Sequence, residues 1–150
     1  MIKELKLASV FTIGLFLVGC GNSDKDNGMG EFLPVEKAFV LSVEATDGKT
    51  IKAHWDIADG YHLYKDKFEF ALGNEDYQIA SLDMPKGKMI LDKVFGNKES
   101  YEGAVDVNIA LKTINDSGKV IVTTSYQGCS EKGLCYPPQT VQTEINLSGS

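Results

Sequence analysis

From Phe32 to the end of the chain, apolar and polar residues alternate with a period of two rather than 3.6. Ile51, Ala53, Trp55 and Ile57 are interleaved with Thr50, Lys52, His54 and Asp56. Val105, Val107, Ile109 and Leu111 alternate with Asp106, Asn108, Ala110 and Lys112, and Val141, Thr143, Ile145 and Leu147 with Thr140, Gln142, Glu144 and Asn146. Each run predicts a strand with one face toward a core and one toward water. Leu41-Val43-Ala45, Phe68-Phe70-Leu72 and the segment from Val120 to Tyr126 add further strands. Turn-forming pairs separate them at Asp47-Gly48, Asp59-Gly60, Gly73-Asn74 and Ser117-Gly118. No long amphipathic helix is predicted. Seven or so short antiparallel strands with regular turns imply an all-β fold, an immunoglobulin-like antiparallel β-sandwich over residues 32–150.

The first thirty-one residues follow a different pattern. Lys3 and Lys6 precede a mostly apolar run of twelve residues, Leu7 to Val18. That length suits a signal peptide and falls short of the roughly 20 residues a membrane span needs. The run ends in Leu17-Val18-Gly19-Cys20, which resembles the bacterial lipobox. The resemblance implies cleavage before Cys20 and acylation of that cysteine, with residues 1–19 as the signal peptide. Multiple acyl chains anchor a protein stably where one would not. Gly21 to Gly30 is rich in Gly, Asn, Ser, Asp and Lys, so residues 20–31 read as a lipidated cysteine and a flexible tether spanning about 17 Å on average.

Composition narrows the function classes. The net charge is −6, and all fifteen cationic side chains are lysine. No basic patch or arginine cluster is present, which argues against nucleic acid.

Two of the three cysteines, Cys129 and Cys135, close a short glycine- and proline-rich stretch after a β-type run. Gly128, Gly133 and Pro137-Pro138 allow the chain to fold back there. A seven-residue ring would stabilise the fold by only about 2.4 kcal/mol, so stapling is a weak reason for the pair to exist. Redox exchange is a stronger one. A static structural bridge in an exported protein remains open on the residues alone. So does metal binding with His54 or His62, although the spacing is that of neither a zinc knuckle nor a thioredoxin-type Cys-x-x-Cys.

Tyr126-Gln127-Gly128-Cys129, five residues, and then Cys135-Tyr136-Pro137-Pro138 resembles the signature of the N-terminal periplasmic domain of the thiol:disulfide interchange protein DsbD. That domain has an immunoglobulin-like fold, in keeping with the strand pattern. The resemblance implies a redox-active Cys129–Cys135 pair with no metal and no cofactor. By the same match, Gly60-Tyr61-His62-Leu63-Tyr64 lies beside the cysteines, and His62 stands where the family usually has an aromatic residue. Asp92-Lys93-Val94-Phe95-Gly96 matches the cap that covers the disulfide with an aromatic ring. Asp92, Phe95 and Gly96 fit that pattern, while Val94 replaces the usual ring, so shielding falls to Val94 or Phe95. The connection from Met84 to Ser100 that carries this cap shows no regular pattern and is expected to be a functional loop.

The implied activity is thiol–disulfide exchange on the periplasmic side of a bacterial membrane, by a lipid-anchored monomer. Cys135 would form mixed disulfides and Cys129 would resolve them. The implied donor is a DsbD/CcdA-like membrane transporter of thiol reductant or a thioredoxin-like domain. The implied acceptors are periplasmic thioredoxin-fold proteins, such as disulfide isomerases or reductases of cytochrome c maturation. The rival reading is a non-catalytic lipoprotein binding module with one static bridge.

Overall fold

A computed structural model describes residues 32–147; the expected signal peptide, Cys20 and most of the tether lie outside them. After a single helical turn, α1 (Val35–Ala38), eleven strands follow among the described residues: β1 (Phe39–Asp47), β2 (Thr50–Ile57), β3 (Tyr61–Tyr64), β4 (Glu69–Leu72), β5 (Tyr77–Asp83), β6 (Lys88–Asp92), β7 (Gly96–Tyr101), β8 (Ala104–Thr113), β9 (Lys119–Tyr126), β10 (Gly128–Ser130) and β11 (Gln139–Asn146). A 3-10 turn, Lys65–Lys67, joins β3 to β4. No helix among the described residues is long and apolar enough to cross a membrane.

Every strand pairing is antiparallel, and the strands form sheets in the orders β1-β2-β8-β5, β11-β9-β4 and β10-β3-β7-β6. This is the expected immunoglobulin-like sandwich. The alternating runs turn the expected faces inward. Ile51, Ala53, Trp55 and Ile57 of β2 and Val105, Val107, Ile109 and Leu111 of β8 are buried, and they join Val120, Val122, Tyr126 and Ile145 from the β11-β9-β4 sheet in one core. Trp55 anchors it, fully buried, with the rings of Phe68, Phe70 and Tyr126 edge-on at 4.8, 6.3 and 5.7 Å. Such contacts add to the area term of burial. Val141 departs from its run: it lies at the open end of edge strand β11 and is exposed.

Two expectations are corrected. The strands number eleven, and the connection from Met84 to Ser100 is a β-hairpin, β6–β7, rather than an irregular loop. Its turn is set locally: Asp92 Oδ1 accepts the N–H groups of Val94 at 2.7 Å and Phe95 at 2.8 Å, and Gly96 follows at φ +73°. An Asx-type turn closed by a left-handed glycine is a standard route to a three-residue hairpin loop. Neither strand of this hairpin alternates in polarity, so the period-two signal is missing.

The third sheet positions the cysteines. All four residues of β3 are buried, because the strand is covered on both faces. Leu63 packs in the core, while His62 and Tyr64 share the other face. Pairing with β10 puts Cys129 directly opposite His62. Gly128 makes this approach possible. A β-carbon there would sit 2.4 Å from the carbonyl oxygen of His62 and 2.5 Å from the Phe39 ring. Gly128→Ala is therefore expected to destabilise the domain by about 1–3 kcal/mol through overpacking. Urea denaturation checks this; a midpoint equal to that of the unmodified protein would mean that β10 shifts freely away from β3.

Candidate functional site

Cys129 and Cys135 form a disulfide across a two-stranded turn. The backbone shows why they meet. Ser130 N–H donates to Leu134 O at 2.7 Å, and Tyr136 N–H donates to Gly128 O at 3.0 Å. These two bonds flank the cysteines, so the cysteines oppose each other as a non-hydrogen-bonded antiparallel pair, the pairing in which side chains come closest. Their Cα atoms are 4.0 Å apart. The return is made by Glu131, Lys132 and Gly133, with Gly133 N–H donating to Ser130 O at 2.9 Å and Gly133 itself at φ +100°. Tyr136 fastens this hairpin from behind. Its ring packs edge-on against Phe39 at 5.6 Å, and its hydroxyl donates to Leu33 O. Burial, with the neighbouring Tyr61, pushes its phenol up to about 12.

The two sulfurs are not equivalent. Cys129 is 1% exposed, whereas Cys135 is half-buried, and both line a pocket of about 260 Å³. The pocket is bounded on one side by the disulfide hairpin and on the other by Leu91, Asp92, Lys93 and Val94 at the tip of β6–β7. A nucleophile entering from solvent therefore meets Cys135 first.

Tyr64 organises the buried side. Its hydroxyl lies 2.6 Å from Asp92 Oδ2, 3.1 Å from His62 Nε2 and 3.1 Å from Cys129 Sγ. Desolvation, with the Asp92 carboxylate beside it, raises the phenol well above its ordinary range, so the hydroxyl stays protonated. Burial works against the charge on Asp92, but the Tyr64 hydroxyl and the N–H groups of Phe95 and Val94 outweigh it and hold the carboxyl below its usual range. His62 is 5% exposed, and burial lowers its imidazole below the ordinary value against the pull of Asp92, Glu131 and Glu102. The ring stays neutral at pH 7.

His62, Asp92 and Cys129 are also the one group among the described residues whose donor atoms are clustered closely enough for a metal, all within 4.8 Å of one another. The Tyr64 hydroxyl contacts all three, so the space among them is filled by a hydrogen-bonding oxygen. The arrangement is that of a polar cluster around a hydroxyl rather than an open coordination site.

The fold thus brings His62, Tyr64, Asp92, Cys129 and Cys135 together. Val94 and Phe95 take different places. Val94 is 68% exposed and lines the pocket beside both cysteines. Phe95 packs edge-on against the Tyr64 ring at 5.4 Å, with Lys67 Nζ 5.6 Å from its centroid. Its ring packs on Tyr64, and of the two only Val94 lines the pocket with the cysteines. Gly96 serves the turn, and Tyr136 stands outside the pocket. His54 lies far from the cluster on an exposed strand face, with Nδ1 2.6 Å from Asp106. Sequence reasoning missed Ile90, Leu91, Glu102 and Glu131, which complete the pocket. Met89-Ile90-Leu91 immediately before Asp92 was the available signal, a short apolar run beside the expected cap segment.

Comparison with known proteins agrees with this geometry. The family model for the N-terminal region of the thiol:disulfide interchange protein DsbD matches residues 30–147. Thiol:disulfide interchange protein DsbD 1 of Pseudomonas aeruginosa is 38% identical over 117 residues, which cover 78% of this chain and 20% of that protein. The chain spans about a fifth of the length of the curated relatives it matches. Among solved structures, the reduced DsbD N-terminal domain of Neisseria meningitidis superposes with a TM-score of 0.70 at 29% identity, covering 79% of this chain and 92% of that one. A complex between the DsbD N-terminal and PilB N-terminal domains of the same organism gives 0.61 at 30% identity, covering 80% and 90%. The chain belongs to the family of the N-terminal domain of the thiol:disulfide interchange protein DsbD.

Proposed function

We propose that this chain is a thiol–disulfide carrier that passes reducing equivalents through the Cys129–Cys135 pair to or from a protein partner. The observation that carries this reading is the asymmetry of the disulfide: both cysteines line one pocket, but Cys135 is the more exposed, while Cys129 is buried against the Tyr64 hydroxyl. A partner thiolate attacks Cys135 Sγ, and the electron pair of the broken S–S bond leaves on Cys129. In the return direction Cys129 attacks the mixed disulfide and resolves it. Access and leaving-group stabilisation both govern exchange rates, and the two cysteines divide those requirements.

The surroundings favour a protein partner. Met89, Leu91 and Val94 are 65%, 80% and 68% exposed on the β6–β7 hairpin, and Leu91 and Val94 line the pocket itself. Exposed apolar side chains gathered at a reactive site mark a docking surface. The relative seen in complex with the PilB N-terminal domain supports protein–protein exchange by this domain type. Thioredoxin-fold acceptors and a membrane transporter of thiol reductant are the partners that fit the reading.

The lipobox-like Leu17-Val18-Gly19-Cys20 supports a lipid-anchored module on the periplasmic face of the membrane. The mature protein is then expected to begin at an acylated Cys20; intact-mass analysis finding an unmodified N-terminus elsewhere would remove the anchor from the reading.

Trapping tests the exchange itself. Cys129→Ser removes the resolving thiol, so a mixed disulfide between Cys135 and a partner should accumulate as a reducible band of higher mass. Cys135→Ser should trap much less, because Cys129 is buried. A static bridge predicts a modest loss of stability, about 2.4 kcal/mol, and no defined adduct from either variant. Stronger trapping by Cys135→Ser would keep the exchange and invert the two roles.

A further inference from the structure

The Tyr64 hydroxyl carries one hydrogen and has three partners that can accept it. With the disulfide closed, the assignment is simple. The shortest contact, 2.6 Å, is to the Asp92 carboxylate, and a charge-assisted bond takes the hydrogen. The phenol oxygen then accepts from His62 Nε2–H at 3.1 Å, which fixes the tautomer of the neutral ring. The sulfur of Cys129 is uncharged and needs no donor.

Opening the disulfide breaks this arrangement. Cys129 leaves as a thiolate at a position 1% exposed, within 4.8 Å of the Asp92 carboxylate. Two anions then face two neutral donors, the Tyr64 hydroxyl and His62 Nε2–H, in a place water barely reaches. We propose that His62 is a positioning residue for the exchange, taking up a proton on Nδ1 as the disulfide opens so that a cationic ring offsets the emerging Cys129 thiolate beside Asp92 around Tyr64. This rests on the exchange reading above and adds a proton to it. The step balances: the partner thiolate forms a new S–S bond to Cys135, the electron pair of the old bond stays on Cys129 Sγ, and one proton from solvent goes to the imidazole. Resolution reverses it.

The neighbours of His62 suit the role. Cys129 is opposite it on β10 and Tyr64 is two residues along on β3. Asp92 Oδ2 at the end of β6 is 3.8 Å from Nε2. Glu102, after β7, and Glu131, in the loop after β10, add negative charge around the same pocket, and Lys93 is the cation that lines it. In the closed state burial outweighs these carboxylates and keeps the ring neutral. One more anion at contact distance tips that balance toward imidazolium. The family resemblance usually places an aromatic residue at this position, where this chain has an imidazole.

The chain has two histidines, which makes the test direct. NMR titration of their ring protons, in the oxidised protein and after reduction with dithiothreitol, follows both. The midpoint of His62 should move to higher pH on reduction, while that of His54, paired with Asp106 on a distant strand face, stays in place. An unchanged or lowered His62 midpoint would overturn the proposal. His62→Gln keeps a hydrogen-bond donor and cannot titrate. The ratio of the unmodified protein's reduction rate to that of His62→Gln, with dithiothreitol at constant thiolate concentration, should fall several-fold as pH rises from acid to neutral. A ratio independent of pH would reduce His62 to a structural part and contradict the proposal. Because dithiothreitol replaces the partner, failure of trapping with a normal His62 shift would count against the carrier reading alone.

Discussion

The site depends on one buried hydroxyl. Tyr64 Oη joins three pieces of chain that are distant in sequence: its own strand, the tip of the β6–β7 hairpin through Asp92, and the cysteine strand through Cys129. A buried hydroxyl without a partner is costly, so these contacts favour keeping the three pieces together. The burial pattern of β3 follows from it. Tyr61 and Leu63 belong to the sandwich core, whereas His62 and Tyr64 are buried because the hairpin tip and the cysteine turn close over them. Removing the hairpin tip from its place would expose the disulfide and leave Tyr64 without its strongest acceptor at the same moment.

The attachments of the hairpin are uneven in strength. Near its tip, Asp92 and Phe95 engage Tyr64 in a partly dry environment. Further along, Glu99 pairs with Lys65 at 2.9 Å and Lys98 with Asp66, both near the surface. Surface pairs of this kind contribute little, because solvent screens them. The base of the hairpin is fixed by the β3–β7 pairing and the buried Tyr101, whereas its outer part is held by the polar cluster at the tip and by weak ion pairs, with apolar Leu91 and Val94 exposed. A partner that buries those two side chains would offset the hydrogen bond and ring packing that the tip gives up when it moves away from Tyr64.

The sandwich was legible in the sequence because strands with one wet face must alternate, and β2, β8 and β9 do. The disulfide turn was legible through Gly128, Gly133 and the proline pair. Strand β3 was not, since it is buried on both faces and has no alternation to read. The β6–β7 hairpin was hidden for the opposite reason: most of it is wet, and its register comes from one Asx turn and one glycine rather than from a hydrophobic stripe. The resemblance supplied Tyr64, Asp92 and the cysteines as neighbours. It left His62 undetermined between solvent and the thiols, because the answer depends on a cross-strand register that no local pattern encodes. The places of the two candidate shielding residues were likewise undetermined: Val94 lines the cysteines' pocket while Phe95 packs on Tyr64.

The central claim is that Cys129–Cys135 exists to be opened and closed rather than to hold the fold. The most direct measurement is the reduction potential of this pair in the folded protein, by equilibration with a glutathione or dithiothreitol redox series. A redox carrier is expected to lie above about −300 mV, within reach of biological dithiols. A potential well below about −300 mV would place the pair among static structural bridges and contradict the account.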